Sequence, residues 1–259
     1  MARSTFYYHL KASKNDKYEN VGKEIKAIYE LHKGRYGYRR IRLELKNRGW
    51  RINHKTVLRL MQELGISSLI RIKKYSSYKG QQGRIAANLL DRNFTALRPN
   101  QKWATDITEF RVKDKKLYLS PIIDLFNGEV LEYSISERPN FKQVMDMLSQ
   151  CKVQNKEQNL ILHSDQGWQY QMKQYQKTLE KMNITQSMSR KGNCLDNAII
   201  ENFFGALKSE LFYLNRYTSV EHLKQDIKEY INYYNYDRIR LNLKGMSPVR
   251  YRAHLEKLN

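Results

Sequence analysis

Three carboxylates stand out by where the sequence puts them. In LHSDQGWQY (162–170) an apolar run through Leu160, Ile161 and Leu162 halts at His163-Ser164-Asp165, and a glycine follows two residues on. A lone Asp-x-Gly reads equally well as a turn or a helix cap. Asp106 lies inside WATDITEFRV, a run of β-formers. Glu201 lies in LDNAIIENFFGALKSELF, where Ile199, Ile200, Phe203, Phe204, Leu207 and Leu211 mark the buried side of a helix and Glu201 falls on the other side, with Lys208 two turns further along that face. By itself Glu201 reads as a solvated side chain. Brought to one point, the three would form an all-oxygen ligand set, which suits hard divalent cations better than His or Cys would.

The elements that must position them follow from pattern. From Pro99 the chain offers three strand candidates, WATDITEFRV, KKLYLSPIIDLF and EVLEYSISE, separated by turns at Lys113 to Lys116 and at Asn127-Gly128. A helix over FKQVMDMLSQCKV, the apolar strand ending at Asp165, a helix through YQMKQYQKTLEKMN, a short strand ITQSMS and the helix of Glu201 come next, with Asp196 or Asn197 as its cap. Three strands, helix, strand, helix, strand, helix is the order of a ribonuclease-H-like α/β domain. In such a sheet the strands of Asp106 and Asp165 are neighbours.

The flanks carry the charge. Residues 1–98 hold 23 Lys and Arg against 7 Asp and Glu, residues 99–237 are balanced, and residues 238–259 hold 6 against 1, which together make the net +21. That distribution favours a polyanion, most simply nucleic acid. The first flank reads as helices: one from Val21 to His32 stopped at GRYG, one over YRRIRLELKNRG, and one capped by Asn53 and stopped at Gly65. Three short helices with tight connections predict a small all-α helix-turn-helix-like module over 1–65, with Arg39, Arg40, His54, Lys55 and Arg59 as its DNA-facing candidates. Residues 66–98, centred on RIKKYSSYKGQQGR with Lys73 and Lys74, read as a basic linker able to lie along phosphates. A catalytic domain over 99–237 and a basic tail over 238–259 complete the organisation. Cys151 and Cys194 form no C-x-x-C, which speaks for a reducing compartment and against structural zinc. The start lacks a signal-peptide core and no apolar run reaches about eighteen residues, so the expectation is a soluble intracellular protein.

Several long motifs in order, YGYRRI, NHKTVLRLM, WATDITEF, HSDQGWQY, KGNCLDNAIIENFFGALKSE and YINYYNYDRIRLNLKGMSPVRYR, resemble the Asp-Asp-Glu transposases and integrases, most closely the transposases of insertion-sequence family three. The resemblance covers nearly the whole chain. It implies a DNA transposase that cleaves and joins element ends, with Asp106, Asp165 and Glu201 as the catalytic, metal-binding carboxylates and Lys208 touching the DNA end. It implies Mg²⁺ or Mn²⁺, two ions, and no zinc, since the His-His-Cys-Cys module of the retroviral relatives is missing. Its partners would be the terminal inverted repeats and target DNA, a second copy of the chain in a homo-oligomer, and the product of an upstream reading frame. Its setting would be the bacterial cytoplasm, at the nucleoid.

Two divalent ions roughly 3.5–4 Å apart can activate the attacking oxygen and stabilise the leaving one, so no covalent enzyme intermediate is required. Asp106 is the residue placed to bridge them. Two rivals share the basic flanks: a DNA-binding regulator with an inert ribonuclease-H-like domain, and a structure-selective nuclease that cuts without joining. Nineteen tyrosines also leave a tyrosine recombinase open on counting alone.

Overall fold

The computed structural model describes residue 3 and residues 18–70, 85–151, 159–190 and 194–257. The chain divides into two compact units, residues 1–70 and 71–259. Among the described residues no helix is long and apolar enough to cross a membrane.

The first unit holds α1 (Glu19–Leu31), α2 (Tyr38–Asn47) and α3 (His54–Glu63). Each buries one stripe at helical spacing: Val21, Ile25 and Ile28; Ile41 and Leu45; Val57, Leu60 and Met61. The Asn53 side chain accepts a hydrogen bond from the Lys55 N–H at 2.9 Å, so the expected cap of α3 is formed. Residues 66–70 stay with this unit. The Tyr29 hydroxyl donates to the Ser67 carbonyl (2.9 Å) and the Leu69 N–H to the Gly34 carbonyl (3.0 Å).

The second unit is a six-stranded mixed sheet between two helical layers. Its strands are β1 (Lys102–Thr105), β2 (Thr108–Val112), β3 (Lys115–Asp124), β4 (Val130–Ser136), β5 (Leu160–Ser164) and β6 (Ile184–Met188). The order across the sheet runs β4, β3, then β1 with β2, then β5 and β6, the ribonuclease-H-like arrangement. Alternate residues face opposite layers. Ala104, Phe110 and Val112 pack under α6 (Ala198–Glu210) and α7 (Val220–Tyr236), while Trp103, Leu160 and Leu162 pack under α4 (Phe141–Gln150) and α5 (Lys173–Lys181).

The strand expected over WATDITEFRV is interrupted at Asp106-Ile107 without losing register. Thr105 lies opposite Ile122 and Thr108 opposite Leu119, which puts Asp106 across from Pro121. The Leu125 N–H bonds the Lys102 carbonyl, so by alternation residue 121 should donate toward β1 as well. Proline has no N–H to give, and the ladder opens there.

Two flanking segments differ from their sequence expectations. Residues 85–98, read as linker, form a strap on the edge strand β6. The Met188 N–H bonds the Ala87 carbonyl (3.3 Å), the Leu89 N–H bonds Ser187 Oγ (2.9 Å), and Leu90 is buried. Of residues 238–259, read as a basic tail, residues 238–257 are described; they fold back through α8 (Pro248–Glu256) and turn three arginines inward. Arg238 pairs with Glu210 (2.6 Å), Arg252 with Asp124 (2.6 Å), and Arg240 donates to the Asn127 carbonyl (3.2 Å). Glycine suits residue 128 by its left-handed φ of 75°, and a Cβ there would also displace the Arg240 guanidinium, 1.8 Å away, from this contact.

Candidate active site

Register brings the first two carboxylates together. In the parallel pairing of β1 and β5, Ala104 lies opposite His163, and the same offset carried two residues further sets Asp106 opposite Asp165. Neighbouring strands are about 4.8 Å apart, so both side chains emerge at one corner where the two strands end. They share the face under α6, because Ala104 packs on that side while Leu162 packs on the other.

Both carboxylates are half-buried, and each is anchored through Oδ1 to a nearby backbone N–H: Asp106 to Ile107 (2.6 Å), Asp165 to Gly167 (2.8 Å). The pKa of Asp106 is raised well above the usual carboxylate range, first by burial and then by the negative charge of Asp165, with Glu201 adding to the rise and Lys208 opposing it. Asp165 is raised as well, by burial, against the opposing Gly167 hydrogen bond. Gly167 lies tight against this turn, where a Cβ would stand 2.9 Å from Asp165 Oδ1 and 3.3 Å from the Tyr170 ring.

The helix α6 supplies Glu201 and Lys208, both half-buried. Ile200, Phe203, Phe204 and Leu207 seat it on the sheet. Lys208 Nζ stands over the Phe110 ring, 5.3 Å from its centroid, and burial lowers its pKa while Asp106 and Glu109 pull it back up. The other three expected residues, Asp165, Glu201 and Lys208, therefore lie within electrostatic reach of Asp106. Among the described residues no three His, Cys, Asp or Glu side chains are grouped closely enough to hold a metal ion. Asp106 and Asp165 still fit a divalent cation by their chemistry: an all-oxygen pair, each anchored through one oxygen and raised in pKa by its burial.

Sequence reasoning missed three features of this corner. Tyr170, in the same HSDQGWQY motif, is buried beside the pair, and its hydroxyl is pushed well above its ordinary value by burial and then by Asp106 and Asp165. Its ring meets Tyr175 edge-on at 5.5 Å. His163 is buried with Nδ1 2.8 Å from Ser187 Oγ, and burial depresses its pKa to about 4. Asp196, expected as a cap, instead binds two arginines, Arg92 and Arg190. Asn197 occupies the cap position of α6 without making a cap bond. The signal for Asp196 was present in the LDN before the helix, but of its partners only Arg190 is near in sequence, and Asn88 and Arg92 lie about a hundred residues away in the strap.

In the first unit, Arg39 Nε donates to the Tyr38 hydroxyl (3.1 Å), Arg40 stacks on Tyr36, and Arg59 pairs with Glu63 (2.5 Å). His54 and Lys55 are exposed at the start of α3. Lys73 and Lys74 lie outside the described residues.

A ribonuclease-H-like sheet with paired aspartates at adjoining strand ends, in a chain that also carries a helical module, defines a protein of the integrase class. Profile comparisons agree. The integrase core domain matches residues 96–194 and again 201–255, and an HTH-like domain matches residues 16–74. The chain is 57% identical over 252 residues, 96% of its own length and 89% of the relative's, to the putative transposase InsK for insertion sequence element IS150 of Escherichia coli (strain K12). It is 37% identical to the transposase for IS904 of Lactococcus lactis, covering 91% of this chain and 94% of that one. It is 36% identical to the transposase InsF for IS3A of Escherichia coli (strain K12), covering 88% and 80%. The HTLV-2 integrase catalytic core domain, solved in complex with magnesium, aligns at 19% identity over 60% of this chain and 98% of that one, with a TM-score of 0.47. The chain belongs to the IS3-family transposases, within the integrase superfamily.

Proposed function

We propose that this protein cleaves and joins the ends of an insertion sequence by metal-dependent phosphoryl transfer, with Asp106, Asp165 and Glu201 as its catalytic carboxylates. The observation that carries this reading is the register pairing of Asp106 with Asp165, two acids driven toward protonation by burial and, at Asp106, by the charge of its neighbour. Mg²⁺ or Mn²⁺, as two ions, would supply Lewis acidity at the oxygens on either side of the phosphorus. Asp106 and Asp165 each retain a second carboxylate oxygen for this purpose, and Glu201 approaches from α6. Lys208, stationed over Phe110, holds the DNA strand beside the carboxylates. The attacking group is water in the first step and the freed 3′-hydroxyl of the element in the second. Arg39, Arg40, His54, Lys55 and Arg59 of the helical unit, with Lys73 and Lys74 beyond it, contact the element ends. The working form is a homo-oligomer on DNA, partnered by the product of an upstream reading frame.

The test is Asp165→Asn in an end-cleavage and joining assay with Mg²⁺ or Mn²⁺. Both reactions fall below detection while affinity for element ends stays within about twofold, because the phosphate contacts that set affinity lie elsewhere. Joining at the wild-type rate would refute the assignment, and loss of DNA affinity in parallel would assign Asp165 a structural role.

A further inference from the structure

The side chain of Asp196 is wholly buried, yet five hydrogen bonds converge on its carboxylate. They come from Asn88 Nδ2 (3.0 Å), Arg92 Nε (3.0 Å), and the backbone N (3.0 Å), Nε (2.8 Å) and Nη2 (2.9 Å) of Arg190. These donors hold its pKa far below the usual carboxylate range, Arg190 first among them. Asn88 and Arg92 belong to the strap, Arg190 follows β6, and Asp196 stands two residues before α6 begins. Glu201 is five residues further on. The carboxylate thus joins three separate stretches of chain at the root of the helix that carries the third acid.

The strap is bent to reach it. Asp91 and Arg92 have φ of 38° and 63°, and the Asn93 N–H closes onto the Leu90 carbonyl at 2.7 Å. Two successive left-handed residues in a closed four-residue turn form the type I′ arrangement, whose second central position favours glycine. An arginine there strains the backbone, and what it contributes in return is the bond to Asp196. The same knot reaches Asp165 by a second route. His163 sits against Asp196 and meets Ser187 Oγ, which also accepts the Leu89 N–H. The Ser189 N–H bonds the Ser164 carbonyl (2.9 Å).

We propose that Asp196, clasped by Arg92 and Arg190, is a positioning residue that fixes the first turn of α6 and so sets Glu201 against Asp106 and Asp165. This rests on the reading of those three as the metal-binding carboxylates. A direct grip on DNA phosphate by the two arginines is disfavoured by charge: Asp196 and Asp91, the latter 3.3 Å from Arg190 Nη1, balance them.

The decisive variant is Arg92→Gly in the full chain, with Arg92→Lys and Asp196→Asn beside it. Glycine suits the turn and offsets part of the lost bond to Asp196, which Arg190 still holds, so the metal-free fold is retained and its melting temperature is measured first. Mn²⁺ is then titrated against melting temperature, and DNA-end affinity is measured by anisotropy without metal. The expected result is a rise of about tenfold in half-saturating Mn²⁺ for Arg92→Gly and for Asp196→Asn, the usual consequence of losing a support behind a ligand. Arg92→Lys falls between them and wild type, and DNA affinity is unchanged throughout. A wild-type Mn²⁺ titration in both Arg92→Gly and Asp196→Asn overturns the proposal. So does a loss of DNA affinity with an unchanged titration, which would make the arginines phosphate contacts. Asp165→Asn is run alongside: if it keeps joining and the Mn²⁺ response, the carboxylate reading itself fails; if it loses both while Arg92→Gly keeps both, only the positioning role fails.

Discussion

At Asp196 five donor atoms, three of them on the guanidinium groups of Arg92 and Arg190, meet one buried carboxylate; at Asp106 and Asp165 each carboxylate receives a single backbone N–H, and the charge of Asp165 bears directly on Asp106. Asp196 is wholly buried and the pair half-buried, so burial does not explain why Asp196 alone is held ionised. Neighbours do. The first acid is held ionised and its charge fastens chain to chain, whereas the second pair is pushed toward protonation, opposed at Asp106 only by one backbone N–H and Lys208. Glu210 belongs with the first kind: it is buried, bonded twice by Arg238 (2.8 and 2.6 Å) and once by the Tyr230 hydroxyl (2.9 Å). At Asp196 and Glu210 matched donors tie separate stretches of chain together, whereas Asp106 and Asp165 face each other with one backbone N–H apiece.

The contrast can be broken most forcibly at Glu210. Arg238→Ala leaves that carboxylate buried and unpaired and should cost about 3–5 kcal/mol of stability, read as a fall in the urea midpoint. If the loss is under about 1 kcal/mol, Glu210 is not structural in the sense argued for Asp196. A second measurement uses pH. Asp196 has a depressed pKa in the folded state, so its contribution is present above the unfolded value of about 4 and is lost as pH falls below it. Asp106 and Asp165 are raised, so theirs is present below about 4 and is lost as pH climbs through their folded pKa values. In chelator, Asp165→Asn should consequently melt above wild type at neutral pH, with the gap closing toward pH 4. Asp196→Asn should melt below wild type at neutral pH and converge with it in acid. Identical pH profiles for the two variants would erase the distinction. The smallest effect concerns Lys208. Lys208→Ala should weaken end joining about tenfold, roughly the worth of one charge-assisted contact, with Lys208→Arg keeping part of it. Lys224→Ala, on the following helix, should stay near wild type, and equal behaviour of the two alanine variants would remove the DNA contact from Lys208.

What could be read in the sequence was local. The apolar run before Asp165 and the turn after it are visible in nine residues, and the helical face that separates Glu201 and Lys208 from Ile200, Phe203 and Leu207 is visible in one helix. The helices of the first unit fall where their stripes and the Asn53 cap put them, α1 beginning two residues earlier. What escaped was non-local. The interruption at Asp106 is dictated by Pro121 on the opposing strand, and the pairing of Asp106 with Asp165 depends on an offset between segments sixty residues apart. Charge counting at the C-terminal end is blind to side-chain placement for a related reason. A net excess does not reveal that Arg238, Arg240 and Arg252 are already engaged by Glu210, Asn127 and Asp124. The strap was hidden by composition, since a polar stretch between two units reads as linker until the hydrogen bonds of Ala87 and Leu89 to β6 are seen.

The strap also bears on how the catalytic unit behaves when it is isolated. Pro99, where the composition changes, looks like the natural place to cut. A fragment beginning there would lose Ala87 and Leu89 from the flank of β6, baring an outer strand whose unpaired amides can recruit a second copy by sheet extension. Self-association or precipitation of such a fragment would then report a missing cover and not a faulty core, and cutting in the stretch ahead of residue 85 would keep that cover in place.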